Sequence, residues 1–169
     1  IALSQFLKCI KQADRDLTIA VQGFGNVGAF FCTTAETKQP TWKLIAVSDS
    51  KSAIKGKSLS AKKLEKFKQT GNKFSKYIDK DIQHISNEEL VGLEVDVLVL
   101  AALGDAINET NMKNIKAKYI VELANGPINE KASEYLNRQG VVTLPDVVAN
   151  SGGVIVSYLE WQQNINYQH

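Results

Sequence analysis

The 169 residues, 44% hydrophobic and 22% charged with a formal net charge of +2, fall in the size range of one soluble globular domain able to bury a substantial core. No run approaches the ~18 apolar residues of a membrane span, and Ile1-Ala2-Leu3-Ser4 offers no basic region, long apolar core or cleavage site. Membrane insertion and a secretory leader are therefore not expected and the cytoplasm is; the start without Met reads as a piece of something longer.

Taken in chain order, a helix over Leu3 to Ala13 precedes an apolar strand, Leu17 to Gln22, which runs into Gly23-Phe24-Gly25-Asn26-Val27-Gly28 and then a helix over Asn26 to Thr37. Strand, glycine turn and helix in that order suit a dinucleotide pyrophosphate. Gly23 allows the tight exit from the strand, Gly25 lets main-chain amides approach phosphate, and Gly28 lets the helix pack against the strand. Phosphate at the helix start is favoured by its unpaired amides and macrodipole. A second strand, Lys43 to Ser48, leads to Asp49, 21 residues past Gly28, about where a ribose-binding carboxylate is expected.

The next segment, Lys51 to Ile82, reads as a weakly ordered surface crossover with a helix over Ser60 to Gln69. Ten of the 20 Lys and Arg residues fall between Lys51 and Lys80, against two acids, Glu65 and Asp79. Such a stripe can mark nucleic acid, but the lysines scatter around a helical segment, Ala61 to Gln69. A solvated surface is expected, with no nucleic-acid partner.

Ser86-Asn87-Glu88-Glu89 has the form of a capping box opening a helix over Asn87 to Val91. Val95 to Leu100, apolar except for Asp96, suits a central strand buried on both faces. A helix over Asn108 to Ile115, a strand over Tyr119 to Leu123, a helix over Asn129 to Arg138, a strand over Val141 to Thr143 and a helix over Gly152 to Ile165 complete the chain, with Gly140 as a C-cap. Alternating strands and helices imply an α/β fold, a Rossmann-like doubly wound, mostly parallel sheet with helices on both faces.

In such sheets ligands bind beyond the carboxyl ends of the strands. Besides the glycine turn, that places Ala101-Ala102-Leu103-Gly104-Asp105, Ala124-Asn125-Gly126-Pro127 and, after Pro145 to Val148, Ala149-Asn150-Ser151-Gly152-Gly153 at the site. Ala101 and Ala102 can admit a flat ring or simply pack closely. Asn125 and Asn150 can meet a carboxamide or sugar hydroxyl, or serve ordinary turns. Ser157, seven residues past Asn150, can share its helix face or bond back to its own helix. Cys9 and Cys32 are read as core residues, and His84 and His169 stand isolated. No metal is expected, and no nucleophile–base pair is evident.

Together these motifs resemble the glutamate dehydrogenase family, within the wider glutamate, leucine, phenylalanine and valine dehydrogenases. The resemblance is carried by Val21 to Gly28, Val47-Ser48-Asp49-Ser50-Lys51, Asp96 to Leu103, Glu122 to Pro127, Pro145 to Val154 and Val156 to Asn164. It implies oxidative deamination of L-glutamate to 2-oxoglutarate and ammonia, with hydride transfer to NAD or NADP. By resemblance, Asn26 and the glycines hold the pyrophosphate, with Phe24 and Val27 in the same loop. Asp49 and Ser50 face the adenosine ribose, Ala101, Ala102, Asn125 and Asn150 line the nicotinamide side, and Ser157 helps receive the substrate's distal carboxylate. Leu100 and Gly104 depart from the family's usual proline and acid.

The resemblance also implies what residues 1–169 do not contain: the N-terminal substrate domain with its catalytic lysine and aspartate. No catalytic residue is thus assigned here, and the isolated chain is expected to bind dinucleotide without turnover, the full-length protein being a homo-hexamer. A stand-alone nucleotide-sensing module and a leucine, valine or phenylalanine dehydrogenase are the alternatives. Asp49 tilts the cofactor slightly toward NAD, since a carboxylate repels a 2′-phosphate, whereas Ser50, Lys51 and the lysines beyond can receive one.

Overall fold

The computed structural model describes residues 2–9, 16–102, 104–151 and 161–162. Its elements in order are α1 (Ala2–Cys9), β1 (Leu17–Gln22), α2 (Asn26–Lys38), β2 (Trp42–Ser48), β3 (Ala53–Lys55), α3 (Ala61–Gln69), β4 (Gln83–Ile85), α4 (Asn87–Val91), β5 (Val97–Leu100), β6 (Tyr119–Glu122), α5 (Glu130–Arg138), β7 (Val142–Leu144) and α6 (Asp146–Ala149). Single 3-10 turns at Phe74–Lys76 and Met112–Asn114 lie between them.

The strands form one seven-stranded sheet in the order β4-β3-β2-β1-β5-β6-β7. β1 pairs in parallel with β2 and β5, and β6 and β7 continue the parallel part, while β3 and β4 run antiparallel at the other edge. Because the chain leaves β1 first toward β2 and later returns to β5, the crevice at the carboxyl ends of β1 and β5 is the topological switch point.

The pleat sends alternate side chains to opposite faces, so the sheet carries two cores. Leu17, Ile19, Val21, Val97 and Val99 join α1, α2 and α3 through Leu3, Leu7, Cys32 and Leu64. Ala20, Ala46, Leu98, Leu100 and Ile120 join α4 and α5 through Leu90, Ala132 and Leu136 on the opposite face. This is the two-faced Rossmann-like arrangement the sequence implies. β5 is buried at all four positions, as its continuous apolar run requires.

Local rules account for several ends. Ser86 and Glu89 form the reciprocal capping box, Ser60 and Asn129 cap α3 and α5 by accepting from Lys63 and Ala132 amides, and Gly140 takes φ 78° after α5.

Four expectations are corrected. The lysine-rich crossover is not merely surface: it contributes β3 to the sheet and the fully buried Phe74 to the core. Asn108 to Ile115 is not a helix apart from its 3-10 turn. Asn108 Oδ1 accepts the Thr110 amide at 2.9 Å, Asn111 Oδ1 accepts the Asn108 amide at 2.9 Å, and Asn111 Nδ2 reaches the Ala106 carbonyl, so asparagine side chains take over backbone partners. Asp146–Ala149 forms a helical turn after Pro145 rather than continuing a strand. Cys9 is exposed, whereas Cys32 is buried and its thiol pKa is raised, first by burial and then by Glu36. The expected helix over Gly152 to Ile165 lies largely outside the described residues.

Candidate dinucleotide site

The turn after β1 is fixed from two sides. The Gly23 amide donates to the Ser48 hydroxyl at 3.1 Å and the Phe24 amide to the Ser48 carbonyl at 2.7 Å, which ties the turn to β2. On the other side, the Ala101 amide donates to the Gln22 carbonyl at 2.8 Å, tying β5 to the end of β1. Gly23 has φ 96°, and a Cβ there would lie 2.7 Å from the Ala102 nitrogen. A Cβ on Gly28 would lie 1.9 Å from the Gly23 carbonyl oxygen. Close approach therefore explains both glycines, and also why small residues stand at Ala101 and Ala102.

Gly25 is different. Nothing lies within 4 Å of a Cβ placed on it, so open space faces the turn at the N-terminus of α2. Gly25 is the N-cap of that helix and supplies no side-chain acceptor, and the first turn holds no acid. Amides and helix dipole thus point at a space kept open by the absence of a side chain, the chemistry a diphosphate requires. The residues present fit a dinucleotide on this observation.

The remaining loop residues divide by burial. Phe24 is 4% exposed, its ring set against Phe74 with centroids 5.5 Å apart; with its amide spent on Ser48, it supports the turn from below. Asn26 and Val27 are exposed on the first turn of α2. They share a groove of about 810 Å³ with Phe30, Leu123, Ala149 and Asn150. Asn150 Nδ2 donates to Asn125 Oδ1 at 2.9 Å, so the structure brings both asparagines together beyond β6. Beneath them the Asp146 amide donates to Glu122 at 3.1 Å and the Gly126 amide to Asp146 at 3.0 Å. Burial, and then the Asp146 charge, raise the Glu122 pKa against the pull of that amide. Ser157 lies outside the described residues.

Asp49 stands at the end of β2 as expected, but its carboxylate is occupied by the protein. Oδ1 accepts the Lys51 and Ser52 amides at 3.0 and 3.1 Å and lies 3.4 Å from the Ser52 hydroxyl; Oδ2 accepts Lys68 Nζ and the Phe74 amide, each at 2.9 Å. Burial opposes its charge, yet the Phe74 amide, Lys68 and the Lys51 amide outweigh that and bring the pKa down to about 2. The Asp49 carbonyl in turn accepts Asn87 Nδ2 at 3.0 Å. Asp49 thus fastens the crossover to β2, and Ser50 beside it is exposed. Sequence reasoning missed Ser48, Lys68 and Phe74. A polar residue closing an otherwise apolar strand was the available signal for Ser48; no signal marked the others, since their partners lie 19 and 25 residues away.

Among the described residues no group of three or more His, Cys, Asp or Glu could hold a metal ion, and no helix is long and apolar enough to cross a membrane.

Comparison with known proteins bears on the family and the fold. A family model described as Glutamate/Leucine/Phenylalanine/Valine dehydrogenase matches residues 2–169. A glutamate dehydrogenase of Thermotoga maritima is 44% identical over 149 residues, 88% of this chain and 35% of its own length. The chain therefore spans about a third of that relative. Among solved structures, the hetero-hexameric glutamate dehydrogenase of Thermus thermophilus in a leucine-bound form matches with a TM-score of 0.84 at 32% identity, over 98% of this chain and 38% of the other. The L-tryptophan dehydrogenase of Nostoc punctiforme matches with a TM-score of 0.66 at 27% identity, over 94% of this chain and 44% of the other.

Proposed function

The chain belongs to the glutamate/leucine/phenylalanine/valine dehydrogenase family, and from that premise we propose that residues 1–169 are the dinucleotide-binding domain of an amino-acid dehydrogenase acting on L-glutamate. The observation that carries the reading is the open space at Gly25, before an uncapped helix start and at the sheet's switch point.

In this reading Gly25, Asn26, Val27 and Gly28 hold the diphosphate, with Gly23 and Phe24 supporting the turn, and Asp49 and Ser50 shape the adenosine end. Ala101 and Ala102 give the nicotinamide half a close wall, and the Asn125–Asn150 pair offers amide donors and acceptors to a carboxamide or ribose. A nicotinamide held there would supply the redox chemistry, hydride acceptance in the oxidative deamination of L-glutamate to 2-oxoglutarate and ammonia. This chain's part is to fix the ring's position. Glutamate is favoured over other amino acids by the 44% identity to a glutamate dehydrogenase.

Because the match covers only 35% of the Thermotoga maritima relative, the groups that move protons and grip the substrate are assigned to a substrate domain outside these residues, with Ser157 as this chain's contribution to the distal carboxylate. The chain alone then binds either nicotinamide dinucleotide, NAD or NADP, without measurable turnover. The complete protein is assigned to the cytoplasm as a hexamer.

Titration of the 169-residue chain with NADH and with NADPH, followed by nucleotide fluorescence, tests the reading. Saturable binding that is lost in Gly25→Val is expected. Absence of binding to either nucleotide by a folded chain overturns it.

A further inference from the structure

The end of β2 presents a cation, not a free carboxylate, beside the glycine turn. A carboxylate offers about four acceptor directions, and Asp49 fills them with the Lys51, Ser52 and Phe74 amides and Lys68 Nζ. Its side chain is 6% exposed, against 21% for Lys68, so the ammonium is the more accessible member of the pair. Lys68 Nζ sits 5.0 Å from the centre of the Phe74 ring, and that ring meets Phe24 of the glycine turn. Phe74 thus links the ammonium to the turn, touching Lys68 on one side and Phe24 on another.

We propose that Lys68 is the residue that recognises the adenosine ribose, that Asp49 positions it, and that this chain accordingly accepts a 2′-phosphate there. The inference rests on the reading that the glycine turn holds a dinucleotide. The usual argument for a free 2′-hydroxyl requires an acidic side chain able to accept it, and here that side chain is already satisfied and neutralised. An ammonium with three donors, one of them on Asp49, keeps capacity for a phosphate oxygen, and charge-assisted hydrogen bonds of this kind are the strong ones. Exposed Ser50 and Lys51 follow directly on Asp49 and add a hydroxyl and a second cation.

The test is calorimetric binding of adenosine 2′,5′-bisphosphate and of 5′-AMP to the whole chain, with no turnover required. The unsubstituted protein is expected to bind the bisphosphate at least about ten-fold more tightly, in line with a charged hydrogen bond. Lys68→Met is expected to erase that preference and Lys68→Arg to keep it. Since Lys68→Met strands a buried carboxylate, the double variant Lys68→Met/Asp49→Asn removes both charges together; it is expected to fold and likewise to show no preference. Asp49→Asn alone is expected to retain or increase bisphosphate affinity, because Lys68 is released from its partner. An unsubstituted chain without the preference, or a Lys68→Met variant that loses both ligands equally, overturns the role of Lys68 while leaving the dinucleotide reading standing. Failure of the folded, unsubstituted chain to bind NADH, NADPH and both probes removes that reading and this inference with it.

Discussion

The Gly23 amide and the Ser48 hydroxyl meet at 3.1 Å in the buried seam between β1 and β2, so the glycine turn is held by a strand it does not belong to. Ser48 is 1% exposed. Ser48→Ala leaves the Gly23 amide without its acceptor in a place water does not reach, a loss of about 1–3 kcal/mol. Urea unfolding is expected to show that loss, and NADH titration a weaker affinity. An unchanged urea midpoint with unchanged affinity would show that the seam does not depend on this bond.

Gly25 and Gly28 separate packing from binding. Gly28→Ala drives a Cβ to 1.9 Å from the Gly23 carbonyl oxygen, so α2 must move off the turn. Overpacking of backbone against backbone is expected to cost about 3 kcal/mol or more. Gly25→Ala meets nothing within 4 Å at φ −86°, and its cost in thermal or urea unfolding is expected to stay below about 1 kcal/mol. If Gly25→Ala destabilises as much as Gly28→Ala, the space before α2 is not open.

Much of this frame could be read from residue order. The apolar run of β5, the Ser86–Glu89 capping box and the glycine turn each follow from a rule acting within a few residues, and each is present. What escaped are relations between distant positions. β3 pairs with β2 over only three residues, too short for a periodic signal. The place of Phe74 in the core depends on Asp49, 25 residues earlier. Asp49 itself stood where a ribose acceptor belongs, and only the fold reveals that Lys51, Ser52, Lys68 and Phe74 occupy it. Asparagines at 108 and 111 suited a helical pattern by position but not by chemistry, because short amides compete with the backbone.

The same occupation of Asp49 gives a pH dependence. Burial by itself would raise its pKa, but the Phe74 amide, Lys68 and the Lys51 amide lower it from 3.8 to about 2. For an acid whose folded pKa is depressed, the stabilisation is complete above the unfolded value and disappears as pH falls through the folded one. About 2 kcal/mol is therefore expected to be lost between pH ~4 and ~2. Asp96, also lowered despite burial by Lys118 and Thr18, contributes in the same direction, so Asp49→Asn should flatten the acid limb of a urea-unfolding pH series only in part. Glu122, raised by burial and by Asp146, acts oppositely and costs stability as pH rises through its titration. An Asp49→Asn series with the parent's full slope would mean that its carboxylate is not held as described.

Phe74 joins stability to the site. Its ring is fully buried, lies edge-on to Phe24 at 5.5 Å and 62°, and carries Lys68 Nζ above its face, while its amide serves Asp49. Phe74→Ala removes a core ring and is expected to cost about 3–5 kcal/mol, enough to endanger folding. Phe74→Leu keeps most of the volume and the amide but gives up the edge-to-face pair, worth about 0.5–1.5 kcal/mol. The leucine variant is thus expected to fold with a modestly lower melting temperature and to bind dinucleotide several-fold more weakly, because Phe24 loses the surface that sets the height of the glycine turn. A leucine variant that melts lower yet binds NADH with the parent's affinity would show that the turn is positioned by Ser48 and the Ala101–Gln22 bond alone, with the aromatic pair serving only the core.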